Sequence, residues 1–336
     1  MESQPQRWLT PEDWLATVRS EYLCDFIVQG GAAVKVVVPV DGLDRETVIR
    51  ELAVLAADEG FIFACADAAS VKIHLVDRLF NAIARQVPWR ELASSFVRVC
   101  LGQAGYRLPD DEGRLSVAEI AGLNELQEPK LNLEIRRLLE RRLWRDYRMC
   151  QEFRFAMIEM CLEVLGQASV ADGTIEEWLR GELRLISALK PALIFQKIAR
   201  HNARHMLISL AHWVRLAGSN GLALALDVSR YMMKRPAEPD GTFYYSRPAT
   251  LDAYEVLRQL IDGTDDIEGC FVAVVSIAEF LSDEARGMDA YDALKLRIAD
   301  EVHDRCYPNP LASLVRLRRQ EPAPSCATEE ASHDRG

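Results

Sequence analysis

Short apolar runs recur along this chain at positions that predict the strands of a buried sheet. Residues 33–38, 61–66, 222–227 and 270–275 are mostly apolar, and a shorter run covers 313–317. These runs lack the regular alternation of apolar and polar residues that marks a strand with one solvent-exposed face. We therefore predict five strands, of which the longer ones are covered on both faces of a parallel sheet.

Helical periodicity fills most of the chain between these runs. Nearly every segment from about residue 71 to 218 places apolar residues three and four positions apart, with breaks at glycines and prolines. Further helices are predicted over 11–26, 45–59, 250–261 and 289–305. Alternation of strands and helices predicts an α/β fold, with a parallel sheet flanked by helices and a large helical insertion; the family resemblance given below implies that this sheet is an AAA-like P-loop parallel sheet.

The domain organisation follows from the same pattern. We expect an N-terminal helical segment (1–30) and one domain (31–317) that carries the helical insertion (about 71–218). Residues 318–336 are polar and contain few apolar side chains, so they are expected to form a disordered tail.

Composition narrows the classes of function. The 336 residues carry a net charge of −11, which argues against a protein that coats nucleic acid with its whole surface but leaves a local basic face open. No apolar run approaches the roughly 18–20 residues that a membrane span requires, and the N-terminus lacks a secretory signal. The eight cysteines contain no Cys-x-x-Cys pair, which is typical of reduced thiols and not of a zinc site. We expect a cytoplasmic protein without membrane contact.

The turn after the first predicted strand occupies the position of a phosphate-binding loop. Such a loop needs glycines whose N–H groups surround the phosphates, a lysine for the terminal phosphates and a hydroxyl for Mg²⁺. Gly42 keeps a glycine position, but Asp44 takes the place of the last glycine. Arg45 and Glu46 stand where the lysine and the hydroxyl residue belong, and Thr47 lies one residue too late for Mg²⁺.

Carboxylates make this loop a poor anion site. Asp41, Asp44 and Glu46 crowd the helix N-terminus, and each carboxylate about 4 Å from a phosphate charge costs on the order of 4 kcal/mol at an effective dielectric constant near 20. One arginine does not reliably offset that cost. The other interpretation is that Asp44 caps the helix and needs no ligand.

A second half of the nucleotide site is predicted at the ends of two later strands. Asp227 follows a buried run and has the position of a Mg²⁺-binding aspartate, although it could equally cap the next turn. Val228 stands where an ATPase needs a carboxylate to polarise water. Ser276 has the position of a γ-phosphate sensor. The predicted vestigial site therefore comprises Gly42, Arg45, Thr47, Asp227 and Ser276, with no catalytic residue.

Once the strands are placed, several stretches resemble one known family. These stretches are residues 19–23, 30–38, 250–262, 269–280, 290–302 and 309–317. The chain resembles the P-loop ATP-binding domain family of BREX-type phage-defence systems. The likeness covers most of residues 15–318, and the C-terminal third is the closer match.

The resemblance implies an AAA-like ATPase of a multi-component antiviral system, with partners such as a helicase or a methyltransferase. By position it makes Gly42 a loop glycine and Asp227 the metal-binding aspartate. It also matches Arg297 to an arginine that could act across the subunit boundary of a homo-oligomer, as an alternative to a solvated helix arginine.

Two further clusters are candidates for binding. A predicted helix over 131–150 places four arginines within an arc of about 80°; they are Arg137, Arg141, Arg145 and Arg148. This stripe is either a solvated face balanced by glutamates or a contact for nucleic acid or an acidic partner. If 191–216 is a single helix, His201, His205 and His212 share one face, but no ligand near them in sequence completes a zinc site.

We therefore predict a catalytically inactive, regulatory or scaffolding subunit of a prokaryotic phage-defence system, without a bound cofactor or metal. One alternative is a weak ATPase in which Arg45 and Asp227 still support turnover of ATP with Mg²⁺. The other is a nucleic-acid-binding adaptor with a DNA contact at the four arginines.

Overall fold

The computed structural model describes residues 9–109, 115–233, 243–299 and 308–319. Five strands form one sheet: β1 Ala32–Pro39, β2 Phe61–Asp67, β3 Gly221–Asp227, β4 Cys270–Val275 and β5 Leu314–Leu317. Their order is β2-β3-β4-β1-β5, and every pairing is parallel. The predicted α/β fold with a parallel sheet is confirmed, and each predicted strand agrees within two residues.

Helices flank this sheet. They are α1 Pro11–Thr17, α2 Arg45–Asp58, α3 Val76–Ala84, α4 Trp89–Gln103, α5 Val117–Leu123, α6 Glu128–Leu143, α7 Gln151–Val164, α8 Thr174–Leu179, α9 Ala203–Leu216, α10 Arg247–Asp262, α11 Glu279–Ser282 and α12 Asp292–Ile298. Seven of them, α3 to α9, lie between β2 and β3, where the sequence predicts the helical insertion. Among the described residues, no helix is long and apolar enough to cross a membrane.

The alternation of side chains along β1, an interior strand of the sheet, divides the core in two. Val36 and Val38 of β1 lie in a large core with the insertion helices and α10. Val37 belongs to a second core on the opposite face, which α2 fills with Val48 and Leu52. Because successive strand residues point to opposite faces, a central strand covered on both sides has to be apolar at nearly every position.

The N-terminal segment completes the second core. Trp14 of α1 is fully buried, and a π-helix, Val18–Phe26, continues from α1 and buries Val18 and Leu23. The predicted helix over 11–26 is thus present, but its second half has the wider π geometry. Leu9 pairs with Leu317 of β5, which ties this segment to the sheet edge.

Two predicted helices have different bounds. The helix predicted over 131–150 is α6, which ends at Leu143, and residues 144–150 form turns. The helix predicted over 289–305 is α12, which ends at Ile298; residues 300–307 lie outside the described part of the chain, as does the predicted tail from residue 320 onwards.

Helix α10 is held to α12 by a charged cluster. Glu255 accepts hydrogen bonds from Arg258 (Nε to Oε2, 2.7 Å) and from the Tyr291 hydroxyl (2.6 Å). These bonds lower the pKa of Glu255 to about 2. A carboxyl whose pKa is depressed in the folded state stabilises that state above its unfolded pKa and ceases to do so as pH falls through the folded pKa.

Glu255→Gln is therefore expected to lower Tm by roughly 2 °C at pH 7, since the cluster is partly exposed to solvent. The Tm difference from the wild type should shrink as pH falls from about 4.5 to about 2, the window set by the depressed pKa. Thermal melts across this pH range measure it. Glu284→Gln, at an exposed position outside the helices, is the matched control. A Tm difference that stays constant down to pH 2 contradicts the prediction.

Candidate nucleotide site

The candidate site lies at the carboxyl edge of the sheet, where β1 and β4 are neighbours. From β1 the chain crosses to β2, the outer strand on one side of the sheet. From β4 it crosses to β5, the outer strand on the opposite side. Ligands of open α/β sheets bind at such a reversal of strand order, outside the carboxyl ends of the strands. Arg45 follows β1, Asp227 ends β3 and Ser276 follows β4, so the fold brings the predicted residues to this edge.

An ion pair joins the two halves of the predicted site. The Arg45 Nε donates to Asp227 Oδ2 at 2.8 Å, across 182 positions of sequence. The Asp227 side chain is 4% exposed and that of Arg45 is 29% exposed. The other carboxylate oxygen of Asp227 accepts from the Ser229 N–H at 2.9 Å. Both oxygens of the predicted Mg²⁺ ligand therefore have protein partners.

The charge of Arg45 is stabilised by its surroundings. Burial lowers the pKa of the guanidinium, but the hydrogen bond and negative charge of Asp227 outweigh that effect and hold the pKa of Arg45 above its ordinary value. The negative charge of Asp67 also raises the pKa of Arg45. Asp67 ends β2 directly beside Asp227 in the sheet, and its own Oδ1 accepts from the Ala69 N–H at 2.7 Å. We did not predict Asp67 from the sequence, although its place at the end of an apolar run was the available signal.

Asp44 occupies the N-terminus of α2. Its carboxylate accepts hydrogen bonds from the N–H groups of Glu46 (3.3 Å) and Thr47 (3.1 Å) and from the Thr47 hydroxyl (3.1 Å). Burial raises the pKa of Asp44, but these bonds outweigh it and lower the pKa. The helix cap anticipated from the sequence is present, and the N–H groups that would hold a phosphate are bonded to a carboxylate of the protein.

The loop itself does not have the form of a phosphate cradle. Asp41 and Gly42 both have left-handed backbone, with φ of 54° and 77°. A Cβ built on Gly42 would meet no atom within 4 Å, so glycine is favoured there by the turn and not by close packing. Asp41 pairs with Arg318 Nε at 2.7 Å, which fixes the loop to the strand edge beyond β5.

Ser276 is placed at the end of β4 as expected, but it is fully buried. Its backbone N–H donates to the Val37 carbonyl at 3.0 Å, whereas its hydroxyl oxygen has no hydrogen-bond partner. A buried hydroxyl without a partner costs free energy. The position predicted for a sensor is therefore close to β1 but shielded from any ligand outside the sheet edge.

Taken together, the side chains present do not fit Mg²⁺-ATP. Asp44 fills the anion position, Arg45 neutralises the metal-ligand aspartate, and Glu46 replaces the hydroxyl that Mg²⁺ needs. Val228, fully buried, offers no base for water. The geometry shows an internal ion pair between Arg45 and Asp227 at the predicted phosphate and metal site.

The predicted arginine stripe is only partly formed. Arg137 and Arg141 lie on α6 with helical spacing, but Arg145 and Arg148 lie in the turns after it, so the four do not form one helical face. Arg148 pairs internally with Asp146 at 3.2 Å and lies 3.7 Å from Glu268. The helix ends early because Asp146 bonds to groups outside it; aspartate competes with the helical backbone in this way.

The predicted histidine face is wrong. Residues Ile186–Ala192 form a 3₁₀-helix with Pro191 inside it, and α9 begins only at Ala203, so His201 precedes the helix. His205 is exposed, whereas His212 is buried. In the part of the chain that the structure describes, no group of three or more His, Cys, Asp or Glu side chains could hold a metal ion.

His212 instead links two carboxylates that the sequence analysis missed. Its Nε2 lies 2.9 Å from Asp146 Oδ2, and its Nδ1 lies 3.2 Å from Glu268 Oε2. Burial raises the pKa of Asp146, but the hydrogen bonds from His212 and Arg148 outweigh it and lower the pKa. Because the carboxylates lie on opposite sides of the imidazole, the cluster is a structural bridge and not a metal site.

Arg297 is bonded within the chain. Its Nε pairs with Asp262, and its Nη1 donates to the Ala293 carbonyl at 2.7 Å. Asp262 also pairs with Arg258, so Arg297 belongs to the charged cluster between α10 and α12. Its action across a subunit boundary stays a prediction.

The fold defines a P-loop-like α/β protein with a five-stranded parallel sheet flanked by helices. Comparison with known families gives a more specific assignment: the model of the family described as BREX system ATP-binding protein BrxC/D matches residues 116–324. This chain belongs to that family, and the resemblance predicted from the sequence is confirmed. No curated protein and no solved structure matches the chain.

Family membership makes the chain a component of the BREX phage-defence system, with other subunits of that system as partners. The matched range begins at α5 and ends beyond β5. It includes Asp227 and Ser276 but not the loop that holds Arg45.

Proposed function

We propose that this chain is a cytoplasmic, catalytically silent subunit of a BREX system, with a regulatory or scaffolding role toward a partner such as a helicase or a methyltransferase. The observation that carries the proposal is the ion pair between Arg45 and Asp227. In this pair the predicted metal ligand and the predicted phosphate-binding cation are bonded to each other, so neither is available to Mg²⁺-ATP.

The energetics favour the internal pair over a nucleotide. Binding of Mg²⁺ at Asp227 would require Arg45 to leave a carboxylate that is almost fully buried. Binding of phosphate at α2 would require Asp44 to give up three hydrogen bonds and would bring two anions together. Both ligands therefore require the ion pair between Arg45 and Asp227 to break first, and the free energy of that pair opposes their binding.

Purified protein is expected to show no saturable thermal stabilisation with Mg²⁺-ATP and no phosphate release above background. A ligand present at 100 times its Kd would stabilise the folded state by about 2.7 kcal/mol, so a melting experiment detects even weak binding. Saturable stabilisation at micromolar ATP would favour the weak-ATPase alternative and overturn the proposal.

A variant that restores the missing groups provides the matched comparison. The triple replacement Asp44→Gly, Arg45→Lys and Glu46→Thr supplies a glycine, an ammonium group and a hydroxyl at the three positions where a phosphate-binding loop has them. If the wild type is silent because of these residues, the triple variant gains ATP-dependent stabilisation. Addition of Asp227→Ala to the triple variant should remove the dependence on Mg²⁺.

A further inference from the structure

An exposed aromatic pair follows α6 in the helical insertion. The side chains of Trp144 and Tyr147 are 46% and 81% exposed, and both lie in the turns between α6 and α7. Trp144 packs against Phe155 of α7 at a ring-centroid distance of 4.9 Å, and the Arg154 guanidinium lies 5.0 Å from the Tyr147 ring centroid. Both rings therefore pack against side chains of α7, and much of each residue remains exposed to solvent.

A third exposed aromatic residue, Phe195, lies in a segment that is bonded to the first turn of α7. Phe195 is 65% exposed, and the neighbouring Gln196 donates a side-chain hydrogen bond to Glu152 in the first turn of α7. Glu152 and Phe155 are three residues apart and so face the same side of α7. Gln196, the residue after Phe195, is thus bonded to the same part of α7 against which Trp144 packs.

Three arginines beside these rings have no internal partner. Among the residues that the structure describes, Arg137, Arg141 and Arg145 make no hydrogen bond or ion pair through their side chains, and all three are exposed. Arg141 and Arg145 lie on either side of Trp144 in the sequence, and Tyr147 follows two residues after Arg145.

The neighbouring carboxylates, in contrast, already have hydrogen-bond or ion-pair partners within the chain. Glu134 accepts from the Tyr106 hydroxyl at 2.8 Å, and Glu140 pairs with Arg136 at 3.3 Å. Asp146 is bonded to His212. The three unpaired arginines therefore form a net positive surface on a chain with a net charge of −11.

The segment that carries Phe195 adds to this charge. Residues 183–203 contain four lysines and arginines and no aspartate or glutamate. Lys190 and Arg184 are exposed and lie in the same segment as Phe195. The Lys197 Nζ donates to the Arg184 carbonyl at 3.1 Å, which holds Lys197 close to Arg184.

We propose that this arginine–aromatic surface binds single-stranded nucleic acid; its residues are Arg137, Arg141, Trp144, Arg145, Tyr147 and Phe195. A single strand presents phosphates and unstacked base faces in alternation, and proteins bind it with a cationic groove and aromatic rings on which bases stack. A duplex hides the base faces, so it would use the arginines alone. The binding does not depend on the nucleotide site, which lies at the carboxyl edge of the sheet.

The proposal is tested by fluorescence anisotropy of a labelled 20-nucleotide dT strand titrated with the full-length protein. Saturable binding is expected at 50 mM NaCl, and its affinity should fall steeply with added salt because arginines displace counterions from phosphates. The double variant Arg141→Gln/Arg145→Gln is expected to weaken binding about tenfold and to reduce the salt slope. Trp144→Ala/Tyr147→Ala should weaken it by about tenfold or more, because each stacked base contributes affinity.

Matched controls separate this surface from general charge and from folding. Arg19→Gln/Arg78→Gln removes two exposed positive charges elsewhere and should leave the affinity unchanged. Tyr147→Phe keeps a ring for stacking and should bind like the wild type. Circular dichroism establishes that each variant is folded.

Three results would overturn the proposal: no saturable binding at 50 mM NaCl, equal loss in the control double variant, or equal affinity for duplex DNA of the same length. Displacement of the strand by poly-glutamate at an equal concentration of charges would assign the surface to an acidic protein instead.

Discussion

Arg45→Ala is expected to lower the free energy of unfolding by about 3 kcal/mol, the lower end of the range for breaking a buried ion pair. The loss is large because Asp227, which is almost fully buried, keeps its charge, and among the described residues its carboxylate is left with the Ser229 N–H as its hydrogen-bond partner. The value falls at the lower end because Arg45 itself is 29% exposed. Urea denaturation at pH 7 measures the change.

The same helix supplies the control for this experiment. Arg50 is exposed on α2 and hydrogen-bonds only to the Thr47 hydroxyl at 3.3 Å, so Arg50→Ala should cost less than about 0.5 kcal/mol. Asp227→Asn in the Arg45→Ala background should recover part of the loss, because it removes the unpaired charge. Equal, small losses for the Arg45 and Arg50 variants would mean that the ion pair does not close the site.

His212→Ala is expected to cost about 2–3 kcal/mol of unfolding free energy. The imidazole is 4% exposed and bridges Asp146 and Glu268, so its removal leaves a cavity and breaks two hydrogen bonds to carboxylates. Arg148 still pairs with Asp146, which limits the loss. The measurement is again the midpoint and slope of urea denaturation.

His205 on the same helix gives a direct comparison. It is exposed and has the same side chain, so His205→Ala should change the stability by less than about 0.5 kcal/mol. A stability loss of the same size in both variants would indicate that helix propensity, and not the carboxylate bridge, determines the effect.

The strands and one helix cap could be predicted from the sequence. The strands could be predicted because a parallel sheet covered on both faces requires continuous apolar runs. Residues 222–227 and 270–275 are such runs, and every residue in them is buried. The cap at Asp44 could be predicted because capping depends on residues only two and three positions away.

Helix ends were harder to predict where a tertiary bond competes with the helix. The periodic pattern of α6 continues past Leu143, but Asp146 is held by His212 of another helix, 66 positions away. Similarly, Asn202 bonds to the backbone of Ala199 and Lys197, and α9 starts after it and not at residue 191. Periodicity alone carries no information about such partners.

The sequence by itself determined the parallel α/β fold and the family resemblance, because both depend on local residue type and spacing. It also predicts a phosphate-binding loop without its lysine. Only the tertiary structure decided which groups meet at that loop. Strand order brings the end of β3 within reach of the helix after β1, and Arg45 and Asp227 then form an ion pair that no local pattern encodes. The sheet's topology therefore joins the two halves of the predicted site.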